Sequence, residues 1–274
     1  ANPNNYIYFN CSDYSNQSSS TCETWRIIGT FGNKTKLIRN SSIGEYSWDN
    51  KDTSTGAKSA YGKNDWTDAR LMKLLNQGYE SETTGGSLYY NSGSGNCYSG
   101  QNNATTACDF TSTGIKNDTT RNMISDNTYS LLGWNNNSIY SNQIYEYERS
   151  TGSVYTGTPT SWTGKVGLAY VSDYGYAADL SKCTKQLGSY NDSTCASNNW
   201  MKAIITNNST NASGWLLTHY YGDSCDTWRT YWAGNAGYSG AYYAFEVTPV
   251  LYLKYRISIN SGTGTSSDPY QIST

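Results

Sequence analysis

The sequence predicts a single α+β domain spanning residues 1–274, built on an antiparallel sheet with long disulfide-stapled loops. Short segments rich in aromatic and β-branched residues alternate with turn residues, which is typical of antiparallel strands. One further segment has the leucine spacing of a helix. No internal repeat and no change in composition marks a linker between domains. Residues 1–22 are expected to form an N-terminal strand and the first stapled loop, and residues 23–274 the main body.

The predicted strands begin near the N-terminus. The first three cover Tyr6–Phe9, Trp25–Phe31 and Lys36–Arg39, with turn residues between them. Later in the chain, Tyr145–Arg149 alternates aromatic and charged residues, as a half-exposed strand would. Lys165–Val171 is expected to continue the sheet.

The clearest predicted helix begins after Asp65, which is a favourable capping residue. Leu71, Leu74 and Leu75 follow at helical spacing, and Gly78 supplies the stop. The segment thus has a start signal, one apolar face and an end signal, and these together predict a helix.

The C-terminal half contains further predicted elements. A short helix is expected near Tyr174–Leu180. Trp200–Ile205 and Trp215–Thr218 are interpreted as core strands, or as a strand with a short helix. Ala244–Leu253 has the apolar character of a central strand, although Pro249 within it favours an edge or a bulge.

The seven cysteines include three close pairs, separated by 11, 11 and 12 residues: Cys11 and Cys22, Cys97 and Cys108, and Cys183 and Cys195. Each pair brackets a polar stretch, so three local disulfides are predicted, each contributing roughly 3 kcal/mol through loop closure. Residues 80–142, around the second pair, are rich in Gly, Ser, Thr and Asn and are expected to form long loops. Disulfides form in oxidising compartments, so a secreted or cell-surface, extracellular location is predicted. Cys225 has no close partner and is expected to remain a thiol, with an intermolecular disulfide as the alternative.

Composition excludes several classes of function. Charged residues make up only 15% of the chain and the net charge is -2, so the polar surface depends on Asn, Ser, Thr, Gly and Tyr. No Lys/Arg cluster is present, so a nucleic-acid partner is not expected. The longest apolar run, Val247–Leu253, is far shorter than a membrane span. The chain begins at Ala1 without a signal peptide, as a mature secreted product or a trimmed chain would.

Catalytic and metal-binding patterns are sparse. His219 is the only histidine and no CxxC occurs, so neither a metal site nor a cofactor is expected. No Gly-x-Ser-x-Gly elbow accompanies His219, which is therefore interpreted as an ordinary packed or exposed histidine. On one strand face, Glu146 and Glu148 would lie about 7 Å apart, a spacing that glycoside hydrolases use. A surface ion pair with Arg149 is the preferred interpretation of these carboxylates.

Two sets of surface residues are candidates for ligand contact or modification. The 27 tyrosines and 9 tryptophans combine apolar area with a hydrogen-bonding tip, which suits glycan stacking as well as core packing. The candidate stacking residues are Trp228, Tyr231, Trp232, Tyr238, Tyr242 and Tyr243. Eleven Asn-x-Ser/Thr sequons are candidate glycosylation sites: Asn10, Asn16, Asn33, Asn40, Asn103, Asn117, Asn136, Asn191, Asn207, Asn208 and Asn211.

Several motifs occur in a characteristic order: Trp25–Gly29, Asn64–Trp66, Ser172–Ala177, Pro249–Leu253, and Gly262–Thr265 before Asp268–Tyr270. Together they resemble a family of uncharacterised bacterial secreted and cell-surface domains, over residues 5–272. The resemblance implies a C-type-lectin-like fold in which the first and last strands pair, and it implies no established activity. The sequence lacks the Glu-Pro-Asn, Gln-Pro-Asp and Trp-Asn-Asp segments of calcium-dependent lectins, and it lacks the apolar N-terminal helix of pilin-like members.

The expected function is a non-enzymatic extracellular structural or adhesive surface protein, such as a subunit of an extracellular filament. Its partners would be further copies of itself, another surface protein or a glycan. In a filament, the strand formed by Tyr6, Ile7, Tyr8 and Phe9 could add to the sheet edge of a neighbour, and an intramolecular edge strand is the alternative. A carbohydrate-binding module is the second functional hypothesis. A glycoside hydrolase is the third, and it requires Glu146 and Glu148 to face an open cleft.

Overall fold

The computed structural model describes residues 2–50, 61–77, 88–100, 106–255 and 258–273. These residues form a mixed α and β structure in which most strand pairs are antiparallel and the helices are short. The α+β prediction is confirmed at this level. Instead of one principal sheet, the described strands form two five-stranded sheets and three two-stranded ones.

The first sheet has the strand order β1–β2–β3–β14–β9, and every neighbouring pair is antiparallel. Its strands are β1 (Tyr6–Phe9), β2 (Glu23–Phe31), β3 (Lys34–Arg39), β9 (Val166–Gly167) and β14 (Val250–Leu253). Alternate residues of a strand point to opposite faces, so Leu37 and Ile38 enter two different hydrophobic clusters. The central strands of this sheet are therefore buried on both sides.

The second sheet has the order β12–β11–β10–β13–β4, with a parallel pair between β10 and β13. Its strands are β4 (Glu45–Ser47), β10 (Gly214–Trp215), β11 (Asp226–Thr230), β12 (Ala236–Gly240) and β13 (Ala244–Glu246). The predicted single strand Ala244–Leu253 is wrong, because β13 and β14 belong to different sheets. Pro249 lies between them, where its missing N–H is tolerated because the chain leaves one ladder for the next.

Three small two-stranded sheets complete the described strands. Their members are β5 (Ser94–Cys97) with β6 (Thr106–Asp109), β7 (Asn127–Ser130) with β8 (Ser161–Gly164), and β15 (Ile259–Ser261) with β16 (Gln271–Ile272). All three pairs are antiparallel. The first of them carries the Cys97–Cys108 disulfide, which joins its two strands.

The described helices are α1 (Arg70–Leu75), α2 (Asp118–Met123), α3 (Ser141–Glu146), α4 (Val171–Tyr176), α5 (Ser193–Ala196) and α6 (Lys202–Ile205), with a π-helical turn at Tyr147–Thr151 and a 3₁₀ turn at Leu187–Ser189. The predicted helix after Asp65 exists but starts later, at Arg70. The Asp65 carboxylate instead accepts the N–H of Thr67 at 3.0 Å in the preceding turn. The predicted stop at Gly78 lies outside the described residues.

Three other segments differ from their predicted structure. Tyr145–Arg149 is helical and not a strand, since α3 continues directly into the π-helical turn. The helix predicted at Tyr174–Leu180 is α4, which begins and ends earlier, at Val171 and Tyr176. Of the two segments predicted around residues 200–218, the first contains α6 and the second contributes only Trp215 to β10.

The first strand is paired on both sides. On one side Ile7 lies opposite Trp25 of β2, and on the other it forms a parallel bridge with Tyr270. The N–H of Tyr8 donates to the Tyr270 carbonyl at 3.0 Å. Ile7 and Phe9 are completely buried. β1 is therefore an intramolecular strand with no open edge for a neighbouring molecule.

The three predicted disulfides are present: Cys11–Cys22, Cys97–Cys108 and Cys183–Cys195. All seven cysteines lie in the described residues, and Cys225 is the one that forms no disulfide. Three disulfides in one chain fit a secreted or extracellular protein. Within the described part of the chain, no helix is long and apolar enough to span a membrane.

Candidate ligand-binding surface

The six aromatic residues predicted to stack on ligands occupy different environments. Trp228 is completely buried, and its indole N–H donates to the Trp134 carbonyl at 3.0 Å. Tyr238 lies on the same side of the second sheet and stacks on Tyr220, with 3.9 Å between ring centroids. The prediction for Trp228 is wrong, because a side chain that fills the core cannot contact a ligand. Trp232 is 50% exposed, in the turn between β11 and β12.

The remaining three, Tyr231, Tyr242 and Tyr243, belong to a continuous line of side chains that we call the aromatic row: Tyr61, Tyr242, Tyr243, Phe245, Arg229 and Tyr231. Tyr61 and Tyr242 have ring centroids 5.0 Å apart, and Tyr242 stacks on Tyr243 at 4.2 Å. Tyr243 and Phe245 are nearly parallel, with centroids 5.6 Å apart and an interplanar angle of 13°. The row thus runs from residue 61 along the end of β13.

Arg229 joins Tyr231 to the rest of the aromatic row. Its guanidinium carbon lies 4.7 Å from the Phe245 ring centroid and 3.5 Å from that of Tyr231. Nε donates to Ser239 Oγ at 2.8 Å, and Nη1 donates to Ser213 Oγ. Burial lowers the pKa of Arg229, and no carboxylate of the described residues forms an ion pair with it. The guanidinium therefore contacts both rings, and hydrogen bonds to two serines hold it in place.

Strand alternation and one long-range backbone contact assemble the row. Tyr243 and Phe245 are two residues apart, so their side chains point to the same side of the chain. Phe245 packs on Trp215, which is buried, with 4.6 Å between the ring centroids. The backbone N–H of Tyr242 donates to the carbonyl of Tyr61 at 3.1 Å, which fixes these two residues beside each other.

The aromatic row is accessible from solvent. Tyr61 is 42% exposed and Tyr243 is 44% exposed, and the other members are half-buried. Partly exposed tyrosines present apolar ring area together with a hydroxyl that can donate or accept a hydrogen bond. Contiguous exposed aromatic area of this kind is typical of contact surfaces.

The two carboxylates of the hydrolase hypothesis do not share a strand face. Glu146 is exposed at the end of α3, whereas Glu148 is completely buried in the π-helical turn. Glu148 accepts hydrogen bonds from Thr218 Oγ1 at 2.6 Å and from the N–H of Ser172 at 3.1 Å, and it pairs with Arg149 at 3.0 Å. Burial raises the pKa of Glu148. The predicted surface ion pair is also wrong, because the carboxylate partner of Arg149 is internal.

His219 is packed inside the fold. It is 4% exposed, and its Nε2 accepts the backbone N–H of Tyr155 at 2.9 Å. Burial lowers its pKa to about 4, and the charge of Asp65 only partly offsets this effect. Of the two environments predicted for His219, packed or exposed, the structure shows the packed one.

The candidate glycosylation sites differ in exposure. Asn10 is completely buried. Its side-chain amide donates to the Gly114 carbonyl at 2.8 Å, and its side-chain oxygen accepts the N–H of Lys116. Asn10 therefore cannot carry a glycan in the folded chain. The Asn117 side chain caps α2 by accepting the N–H of Thr120. Asn40 is half-buried, and Asn103 lies outside the described residues. The exposed sequon residues are Asn16, Asn33, Asn136, Asn191, Asn207, Asn208 and Asn211.

One group of possible metal ligands occurs in the described residues, formed by Asp223, Cys225 and Asp226, whose ligand atoms lie within 4.8 Å of one another. The carboxylate of Asp223 already accepts the N–H groups of Cys225 and Asp226, at 2.8 and 2.7 Å. Burial and the charge of Asp223 raise the pKa of Asp226 to about 6. These hydrogen bonds account for the cluster as a tight turn before β11.

Comparison of the chain with protein-family models, with curated proteins and with solved structures finds no significant match. The aromatic row is therefore interpreted from its own geometry. Sequence reasoning identified its tyrosines at 231, 242 and 243 but missed Tyr61, Phe245 and Arg229. Only the two-residue spacing of Tyr243 and Phe245 was available as a local signal for one of the missed residues.

Proposed function

We propose that this chain is a non-enzymatic, adhesive extracellular domain that binds glycans through the aromatic row. The observation that carries the proposal is the continuous, partly exposed contact between four tyrosines, a phenylalanine and an arginine. Sugar rings have apolar C–H faces and polar rims, and tyrosine offers the complementary combination of ring and hydroxyl. The three disulfides suit the extracellular setting.

The same proposal includes a C-type-lectin-like fold and a relationship to bacterial secreted and cell-surface domains. In such folds the first and last strands pair, and the bridge between Ile7 and Tyr270 supports this arrangement. The calcium-coordinating segments of C-type lectins are missing from the sequence. Binding through aromatic side chains needs no such segment.

The rival functions have less support from the geometry. A filament subunit that donates its N-terminal strand needs that strand to be available, and β1 is already paired with β2 and with Tyr270. A glycoside hydrolase needs two carboxylates facing one cleft. Glu148 is completely buried, whereas Glu146 faces solvent.

The proposal is tested by screening the purified protein on a glycan array and measuring the best neutral glycan by calorimetry. Tyr243→Ala and Tyr61→Ala should each weaken binding about threefold to tenfold, since aromatic contacts contribute roughly 0.5–1.5 kcal/mol beyond buried area. Tyr255→Ala is the matched control, because Tyr255 is 74% exposed and lies outside the row. Equal affinities for all four proteins would contradict the assignment of the row.

A further inference from the structure

A surface cavity of about 550 Å³ lies away from the aromatic row, between the start of the chain, β2 and the segment around α6. Its lining includes Tyr6, Arg26, Asn40, Trp200, Ala203 and Asn208. This volume is within the usual range for small-ligand sites. Among the described residues, no aspartate or glutamate lines the cavity, and Arg26 is the one charged side chain in its lining.

Arg26 is held rigidly at the wall of this cavity. The residue is only 2% exposed, and its guanidinium carbon lies 3.7 Å from the Tyr6 ring centroid and 4.6 Å from that of Trp200. Nε donates to Asn5 Oδ1 at 2.5 Å, and Nη2 donates to Asn2 Oδ1 at 2.9 Å. The two rings and the two amides therefore fix the plane of the guanidinium.

No counter-ion of Arg26 occurs in the part of the chain that the structure describes. None of the ion pairs among the described residues includes Arg26, and its Nη1 has no hydrogen-bond partner there. Burial lowers the pKa of Arg26 to about 10, so the group remains protonated at neutral pH. Because a buried charge is costly without a partner, a ligand that brings an anion to this wall gains a charge-assisted hydrogen bond.

Besides Arg26, the lining combines neutral polar side chains with the apolar side chains of Trp200, Ala203 and Ile204. Asn40 and Asn208 have side-chain amides that make no hydrogen bond within the described part of the chain, and Ser197 adds a hydroxyl. Amide and hydroxyl groups of this kind match the hydroxyls of a sugar ring. A lining with one cation and several neutral amides thus favours a hydroxyl-rich ligand with a single negative charge.

We propose that this cavity binds a carboxylate-bearing sugar, whose carboxylate pairs with Arg26 and whose hydroxyls contact the neighbouring amides. The site is separate from the aromatic row, and the inference does not depend on the function proposed for that row. The row is tested with neutral glycans and the cavity with acidic monosaccharides, so either test can fail while the other succeeds.

The first test is calorimetric titration with sodium glucuronate and with N-acetylneuraminate, compared with glucuronate methyl ester. The ester keeps the ring hydroxyls and removes the charge, so it should bind at least tenfold more weakly, as expected for loss of one charge-assisted hydrogen bond. Equal binding of acid and ester would overturn the proposal. No binding of either acid at millimolar concentration would also overturn it, as would tighter binding of a peptide with a free C-terminal carboxylate.

Three variants, one of them a control, locate the binding. Ala203→Tyr places a large side chain in the cavity from an exposed position of α6 and should reduce glucuronate affinity at least tenfold. Asn135→Tyr adds the same side chain at an exposed position outside the cavity and is the matched control. Arg26→Lys keeps the charge but loses the planar fork, so it should also bind more weakly. Thermal unfolding of each variant confirms folding, and an Ala203→Tyr variant that folds and binds normally would refute the site.

Discussion

Replacement of Lys36 by Met tests the buried charge pair beside α4. Lys36 is completely buried and forms an ion pair with Asp173, whose carboxylate also accepts the N–H of Tyr170 at 2.8 Å. Burial lowers the pKa of Lys36, but the Asp173 carboxylate more than offsets this effect, so the pKa is raised and the ammonium stays charged. The Tyr170 ring, with its centroid 4.6 Å from the ammonium, adds a cation–π contact.

The expected loss follows from the burial of both partners. The side chains of Lys36 and Asp173 are 0% and 4% exposed, so removal of the ammonium leaves a buried carboxylate without its counter-charge. Breaking a buried pair in this way costs about 3–5 kcal/mol. For a chain of this size, each kcal/mol lowers the melting temperature by about 2–4 °C, so the decrease should be roughly 10 °C.

The free energy of unfolding is measured by urea denaturation at pH 7 with the disulfides intact, followed by tryptophan fluorescence. Lys165→Met is the matched control, since Lys165 pairs with Asp126 at 3.3 Å while the two side chains are 30% and 67% exposed. An exposed pair of this kind contributes at most about 1 kcal/mol. If Lys36→Met lowers the free energy of unfolding no more than Lys165→Met does, the buried pair does not stabilise the fold as predicted.

Two further predictions concern buried groups. Burial lowers the pKa of His219 from its usual 6.5 to about 4, so the unfolded chain binds more protons than the folded chain between these pH values. Protonation of this group therefore removes up to roughly 3 kcal/mol of stability as the pH falls. The urea midpoints of the wild type and of His219→Gln should converge from pH 7 to pH 4, and parallel curves would contradict this prediction. Gly62→Ala should destabilise far more than Gly32→Ala in thermal unfolding. Both glycines have positive φ, at +78° and +62°, but a Cβ at Gly62 would lie 1.9 Å from the Asp49 carbonyl oxygen, whereas one at Gly32 meets no atom within 4 Å. Similar decreases in melting temperature for the two variants would show that backbone strain, and not the clash with Asp49, determines the loss of stability.

Local sequence patterns predicted the features that depend on short separations. The three disulfides join cysteines 11 or 12 residues apart, so the loop between each pair brings them together whatever the rest of the fold. The sequence also predicts the strands β1, β2 and β3, because turn residues separate these short segments from one another. Tyr145–Arg149 was misjudged since its aromatic residues alternate with period two, whereas its buried side chains, Ile144 and Glu148, are four apart as in a helix.

The candidate sites depend on contacts that no local pattern contains. Tyr61 joins the aromatic row through a backbone hydrogen bond to Tyr242, about 180 residues later in the chain. Arg26 looks like an ordinary strand residue in sequence, and its charge matters only because Trp200 and Tyr6 enclose it. The sequence by itself determined the three disulfides and the first three strands, because these depend on short-range spacing. The tertiary structure decided which aromatic side chains stay exposed and which charges are buried, because burial depends on the packing of the whole chain.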